Sequence, residues 1–216
     1  MAELVFYTNP MSRGRIIRWM LEEIGEPYET VILDYSSTMK ATEYLAINPM
    51  GKVPAITHGG RVVTEAAAIC AFLADVYPGA GLGPREEEKA DYYRWLFYAA
   101  GPVEQAVTNH YAKWDPAPEQ GRMFGYGNYE TVVDVLDALF SSQDYVCGDR
   151  FTAADVYVGS SVMWGIQFGT LAKRSSFERY AARLAQRDAF RRASEIDDAA
   201  AAQLQSAAHA QPQSAE

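Results

Sequence analysis

Seven residues, Asn48-Pro49-Met50-Gly51-Lys52-Val53-Pro54, and the Thr64-Glu65-Ala66 that opens an amphipathic stretch ten positions later, are the part of the chain best suited to chemistry. Asn-Pro and Met-Gly punctuate the backbone, and Pro54 can open a strand but not sit inside a central one. A strand from Val53 to Thr57, a Gly59-Gly60 hairpin signal and a second short strand from Arg61 to Val63 lead directly into a helix. The order reads as a loop that offers its backbone to a peptide-like ligand, beside a helix start that carries one fixed carboxylate.

Composition says what such a site belongs to. The 216 residues are 49% hydrophobic, enough for one large or two small folded domains. The net charge of -9 lacks the basic footprint of a nucleic-acid binder. The chain starts on a strand-like run, with no basic region ahead of an apolar core and no apolar run of membrane-spanning length, so a soluble, cytoplasmic protein is expected. Cys70 and Cys147 are the only cysteines, in neither a C-x-x-C nor a metal-ligand spacing, and read as packed thiols; no metal site is expected.

The texture of the chain changes once, at Tyr77-Pro78-Gly79-Ala80-Gly81-Leu82-Gly83-Pro84. Before it, short strands alternate with helices. Leu4 to Tyr7 is a strand broken by Asn9-Pro10, and Ile16, Ile17, Met20, Leu21 and Ile24 fall on one face of a helix that Gly25 stops. Tyr28 to Leu33 is a second strand, Lys40 to Ile47 a short irregular helix, and Ile69, Phe72, Leu73 and Val76 mark the helix after Thr64. The sum is β-α-β followed by β-β-α, a small mixed sheet with helices on its faces. After it, only helices are convincing: one from Glu86 to about Trp114, kinked at Gly101-Pro102, another through Val132 and Phe140, and a third from Ala153 to Phe168. The third has a strong start signal. Thr152 is a good N-cap, Asp155 reaches back to it, and Phe151 and Val156 occupy the staple positions. The expected division is 1–78, a linker 79–85, a helical domain 86–200 and a frayed tail 201–216.

These motifs together, NPMGKVP, TEAAAI and GDRFTAADV in that order and spacing, resemble the cytosolic glutathione S-transferases, bacterial members in particular, over nearly the whole chain. The resemblance implies an α/β thioredoxin-like N-terminal domain that holds glutathione as co-substrate. It also implies an all-α C-terminal domain that supplies most of the pocket for a small hydrophobic electrophile, and a homodimer. It assigns Val53 as the residue whose backbone pairs with the cysteinyl unit, next to a cis bond to Pro54. Glu65 would meet the γ-glutamyl ammonium, and Lys52 the glycyl carboxylate. Ala66 stands where the family usually has Ser or Thr, so one hydroxyl contact is missing and only backbone N–H remains there.

The reaction implied needs a thiolate. A thiol of pKa about 8.5 is only a few per cent ionised at neutral pH, and lowering that value by about two pH units takes about 2.7 kcal/mol. Two hydroxyls compete for the task. Ser12, before Arg13-Gly14-Arg15-Ile16, matches the theta- and delta-like branches and is favoured; Tyr7, at the end of the first strand, matches the alpha-, mu- and pi-like branches and is the alternative. Met11, Tyr111, Trp114 and Trp164 are the candidate electrophile pocket, and His110 reads as a capping or surface residue. Alternatives on the same scaffold are a glutathione-dependent peroxidase, isomerase or dehalogenase, or a non-catalytic interaction module.

Overall fold

In the computed structural model, which describes residues 3–210, the strands β1 (Leu4–Thr8), β2 (Glu29–Ile32), β3 (Ala55–His58) and β4 (Arg61–Thr64) form one sheet in the order β2-β1-β3-β4. β1 is parallel to β2 and antiparallel to β3, and β3 is antiparallel to β4. A parallel pair needs a crossover, and the helix α1 (Gly14–Ile24) provides it. Tyr7 pairs with Ala55, and Ala55 with Thr64 on its other side. The end of β1, the start of β3 and the end of β4 therefore meet at one end of the sheet, and the Ser12 turn, the Asn48–Pro54 loop and Glu65 all adjoin that end, while the Gly59-Gly60 hairpin closes the other.

The chain forms two compact units, one holding the residues up to Ile69 together with those from Arg187 onward, the other holding Cys70–Gln186. In the first unit, α1 buries Ile16, Ile17, Met20 and Leu21 as its spacing predicts, but Arg18 and Trp19 are equally buried. The cause is a helix far along the chain, labelled α9 below (Asp188–Ala210), which packs along α1. Trp19 meets Phe190 edge to face at 5.0 Å, and Arg18 meets Asp197. Where a frayed tail was expected from 201, Ala201 is instead buried and the helix continues through Ala210, as its run of alanines favours. The tail beyond Ala210 lies outside the described residues. On the other side of the sheet, a 3-10 turn (Thr38–Lys40) and α2 (Thr42–Leu45) bury Met39 and Tyr44 with Leu33 and Ala55, and Tyr7, Val31, Ile47 and Val53 pack against that cluster.

Helix α3 (Ala66–Val76) begins in the first unit and carries the chain into the second. There α4 (Lys89–Tyr98) and α5 (Glu104–Tyr111) are joined by a π-helical segment, Ala99–Val103, which is the form the expected Gly101-Pro102 kink takes. α6 (Tyr129–Ser142), α7 (Ala153–Phe168) and α8 (Ser175–Ala185) complete that unit ahead of α9. α7 starts where its local signals place it. The Asp155 carboxylate accepts the Thr152 N–H at 2.8 Å, the Val146 N–H at 2.7 Å and the Tyr180 hydroxyl at 2.9 Å, inside a shell that includes the buried Phe151 and Val156. Next to it, Arg150 donates to the carbonyls of Gly81 (2.5 Å) and Gly83 (2.8 Å) and pairs with Glu88, and Ala153 N–H donates to Leu82 O at 2.9 Å. The segment 79–85 is thus bound to the start of α7 rather than hanging free.

Candidate active site

The Asn48–Pro54 loop is held from beneath, which leaves its outer edge unpaired. Asn48 is buried; its Oδ1 accepts Met50 N–H at 3.1 Å and its Nδ2 donates to Lys52 O at 2.8 Å. The Tyr44 hydroxyl donates to the same carbonyl at 2.5 Å, and burial pushes that phenol up to about 12, so it stays a neutral donor. Gly51 has a left-handed φ of 56°, and its carbonyl accepts Lys40 Nζ at 2.5 Å. The Val53–Pro54 bond is cis. Neither the N–H nor the C=O of Val53 is hydrogen-bonded among the described residues. Lys52 is exposed beside it.

Across the sheet end, Asn9 builds the turn that carries Ser12. Asn9 is buried, donates through Nδ2 to Leu33 O at 2.8 Å, and accepts Met11 N–H on Oδ1 at 2.9 Å. The Ser12 hydroxyl donates to Asn9 O at 2.6 Å and accepts Gly14 N–H at 2.9 Å, so it stands at the first turn of α1 with a fixed orientation. Gly14 is needed there: a Cβ at that position would lie 1.9 Å from Thr8 Oγ1. Tyr7, by contrast, is half-buried in the cluster under the loop, its ring 5.7 Å from that of Tyr44. Both candidate hydroxyls thus lie in the first unit, one in a turn at a helix start and one inside a packed aromatic pair.

Glu65 closes the set. It is exposed and has a φ of 65°, a left-handed conformation that a glutamate adopts only under constraint, and its carbonyl accepts Ile69 N–H at 2.9 Å as α3 begins. Ala66 follows it, buried, with no side-chain donor to offer. Strands lie about 4.8 Å apart, so the β1 and β4 ends are separated by about 10 Å. That span matches the length of an extended tripeptide, about 10 Å. Met11 is exposed next to Ser12, whereas Tyr111 and Trp114, exposed, and Trp164, half-buried on α7, belong to the second unit. His110 stacks on Tyr129 at 3.9 Å and bonds Asp115 at 2.9 Å, a structural engagement at the end of α5. Burial pushes the Cys147 thiol up to about 12 and the fully buried Cys70 thiol further, so neither is a ready nucleophile.

Asn9, Gly14, Lys40 and Tyr44 are the site residues that motif reading overlooked. Asn9 had registered only as a strand breaker, although an Asn two residues before an exposed turn residue is a known Asx-turn signal. Tyr44 carries no local signal, since its partner carbonyl is eight residues away.

The family model described as glutathione S-transferase, N-terminal domain matches residues 11–76, the segment from the Ser12 turn through α3. Glutathione S-transferase GST-4.5 of Xanthomonas campestris pv. campestris is 25% identical over 174 residues, covering 76% of this chain and 83% of its own. Glutathione S-transferase 3 of Zea mays is 30% identical over 168 residues, covering 72% and 75%. A crystal structure of a glutathione transferase from Methylococcus capsulatus str. Bath superposes with a TM-score of 0.71 at 25% identity, over 90% of this chain and 98% of that one. The sheet with its crossed helices is accordingly a thioredoxin-like domain followed by an all-helical one, and the chain belongs to the glutathione S-transferase family.

Proposed function

We propose that this glutathione transferase binds glutathione along the sheet end from the Ser12 turn to Glu65, and activates its thiol with Ser12 for attack on a small hydrophobic electrophile. The observation that carries the reading is the unpaired main chain of Val53, which offers one N–H and one C=O to the cysteinyl unit as a strand edge does. Glu65 then meets the γ-glutamyl ammonium, and the first N–H groups of α3 receive the neighbouring carboxylate. Lys52, with Lys40 close by at the Gly51 carbonyl, faces the glycyl carboxylate.

Activation follows from the Ser12 hydrogen bonds. The Ser12 hydroxyl donates to Asn9 O, while Gly14 N–H donates to its oxygen. Rotation of the O–H from the carbonyl to the sulfur exchanges a neutral bond for a charge-assisted one, worth about 1–1.5 kcal/mol more. The positive end of α1 adds about 1 kcal/mol for an anion at its first turn. The two together come close to the roughly 2.7 kcal/mol needed to bring a thiol from about 8.5 to about 6.5. Tyr7 remains the competing donor, its ring packed against Tyr44 and the apolar cluster under the loop. Met11, exposed beside Ser12, supplies apolar surface for the electrophile, and the working protein is a cytoplasmic homodimer.

Calorimetric titration with glutathione tests the binding half. The parent protein binds, and Glu65→Gln, which keeps shape and removes charge, binds at least about tenfold more weakly, the worth of a charged hydrogen bond. Equal affinity in the two proteins would remove Glu65 from the site.

A further inference from the structure

The two helices packed against each other in the first unit, α1 and α9, are joined by a ladder of ion pairs in antiparallel order. Reading α1 backwards, Glu23 pairs with Arg187, the residue before α9 (2.5 Å), and along α9 itself Glu22 pairs with Arg192 (3.2 Å), Arg18 with Asp197 (3.2 Å) and Arg15 with Asp198 (2.7 Å). Acids on α1 precede Gly25 and bases follow Ser12, and α9 carries the complementary order. The Arg18–Asp197 rung sets the register, because its side chains are 4% and 2% exposed and Arg18 also donates to Tyr28 OH (3.0 Å) and Thr30 Oγ1 (2.8 Å). A slip of one residue would leave a buried charge without its partner.

The last rung does something the others do not. Arg15 Nε donates to Pro10 O at 2.6 Å while Nη2 holds Asp198 at 2.7 Å. Pro10 belongs to the turn in which Asn9 O accepts both Ser12 N–H (3.1 Å) and the Ser12 hydroxyl (2.6 Å). The planar guanidinium thus spans from α9 to the turn that orients the hydroxyl. We propose that Asp198, acting through Arg15, is a positioning residue for Ser12, so that the C-terminal helix forms part of the thiol-activating apparatus. This rests on the reading of Ser12 as the activating hydroxyl.

Two other roles for Asp198 give different signs, which makes the proposal testable. If the carboxylate mainly damps the positive charge of Arg15, its removal lowers the pKa of bound glutathione. If it only fastens α9, removal lowers the melting temperature and leaves the thiol alone. Positioning requires the thiol pKa to rise and kcat to fall while KM for glutathione changes little. The experiment is a titration of the ultraviolet thiolate absorbance of bound glutathione, with kcat and KM for glutathione against a chromogenic aryl halide. The proteins are the parent, Ser12→Ala, Asp198→Ala, Arg15→Lys and, as a stability comparator from the far end of the ladder, Arg192→Gln.

Asp198 is 68% and Arg15 29% exposed, so folding tolerates the changes and the effect is bounded by that of a partly exposed pair. The expected results are a fall of up to about fivefold in kcat and a rise of up to about 0.7 pH unit in the thiol pKa for Asp198→Ala. Arg15→Lys shows the same direction, since an ammonium cannot hold both partners in the guanidinium geometry. Arg192→Gln leaves the thiol pKa at the parent value. A thiol pKa unchanged or lowered in Asp198→Ala, with Ser12→Ala raising it, overturns this proposal alone; a parent value retained in Ser12→Ala overturns it together with the Ser12 reading.

Discussion

Substituting Gly14 by alanine sets two opposed effects against each other with known sizes. In a helix interior alanine is favoured over glycine by about 1 kcal/mol, less at the first position. Against this, the new Cβ would stand 1.9 Å from Thr8 Oγ1 and 3.1 Å from Thr8 Cβ. Thr8 is 1% exposed and β-branched, so it cannot swing clear, and the start of α1 must move off β1. Overpacking of this kind costs about 1–3 kcal/mol. Gly14→Ala is therefore expected to be destabilised by about 1–2 kcal/mol in urea unfolding, with Tm lower by about 2–4 °C per kcal/mol. The displacement also reaches Ser12, whose Oγ is 3.0 Å from the same Cβ and accepts the Gly14 N–H. KM for glutathione and the pKa of its bound thiol should rise with the loss of stability. Thr8→Ala made in the Gly14→Ala background removes the colliding oxygen, so the double-mutant cycle should show a favourable coupling of about 1–2 kcal/mol. A Gly14→Ala protein as stable as the parent, or strict additivity with Thr8→Ala, would refute the close approach of α1 to β1 as the reason for a glycine here.

Glu65→Gly relieves a left-handed backbone and is expected to raise stability by about 1 kcal/mol in the same unfolding assay, while glutathione affinity falls about tenfold or more in calorimetry. Ala66→Ser adds a hydroxyl at the start of α3 and should tighten glutathione binding by up to about fivefold, the worth of one net hydrogen bond. Arg150→Ala leaves the Glu88 carboxylate, whose side chain is 9% exposed, without its cation, and frees the carbonyls of Gly81 and Gly83. The loss should be about 3 kcal/mol in chemical denaturation at neutral pH. Hydrogen bonding from Arg150 holds the Glu88 carboxyl below its usual value. A lowered folded value means that this stabilisation is complete above the unfolded value of about 4.3 and fades as pH falls through the folded one. Arg150→Ala should accordingly lose that part of the acid-side slope, and the gap between the two proteins should narrow at low pH.

What could be read from sequence divides along the range of the interactions involved. α7 starts at the residue its cap, its reaching-back carboxylate and its staple specify, because all of those lie within five residues. The Asn48–Pro54 loop was legible as an exposed backbone for the same reason: Asn48 bonds Met50 and Lys52 within the loop. α1 was legible on one face only. Its Arg18 carries no local sign of burial, because the Asp197 it pairs with is 179 residues away. Glu65 was legible as a carboxylate at a helix start but not as a left-handed residue, since nothing in a glutamate favours that conformation and only the join between β4 and α3 imposes it. Gly14 carries no local signal, since its necessity comes from the close passage of β1.

The most direct test follows the ionisation of bound glutathione. The ultraviolet thiolate absorbance of the complex is titrated in the parent, in Ser12→Ala and in Tyr7→Phe, at saturating glutathione. Ser12 as the activating donor predicts a parent thiol about two pH units below the free value of about 8.5, a return most of the way to that value in Ser12→Ala, and no change in Tyr7→Phe. A depressed thiol pKa that survives in Ser12→Ala, or one that is lost in Tyr7→Phe, would contradict it.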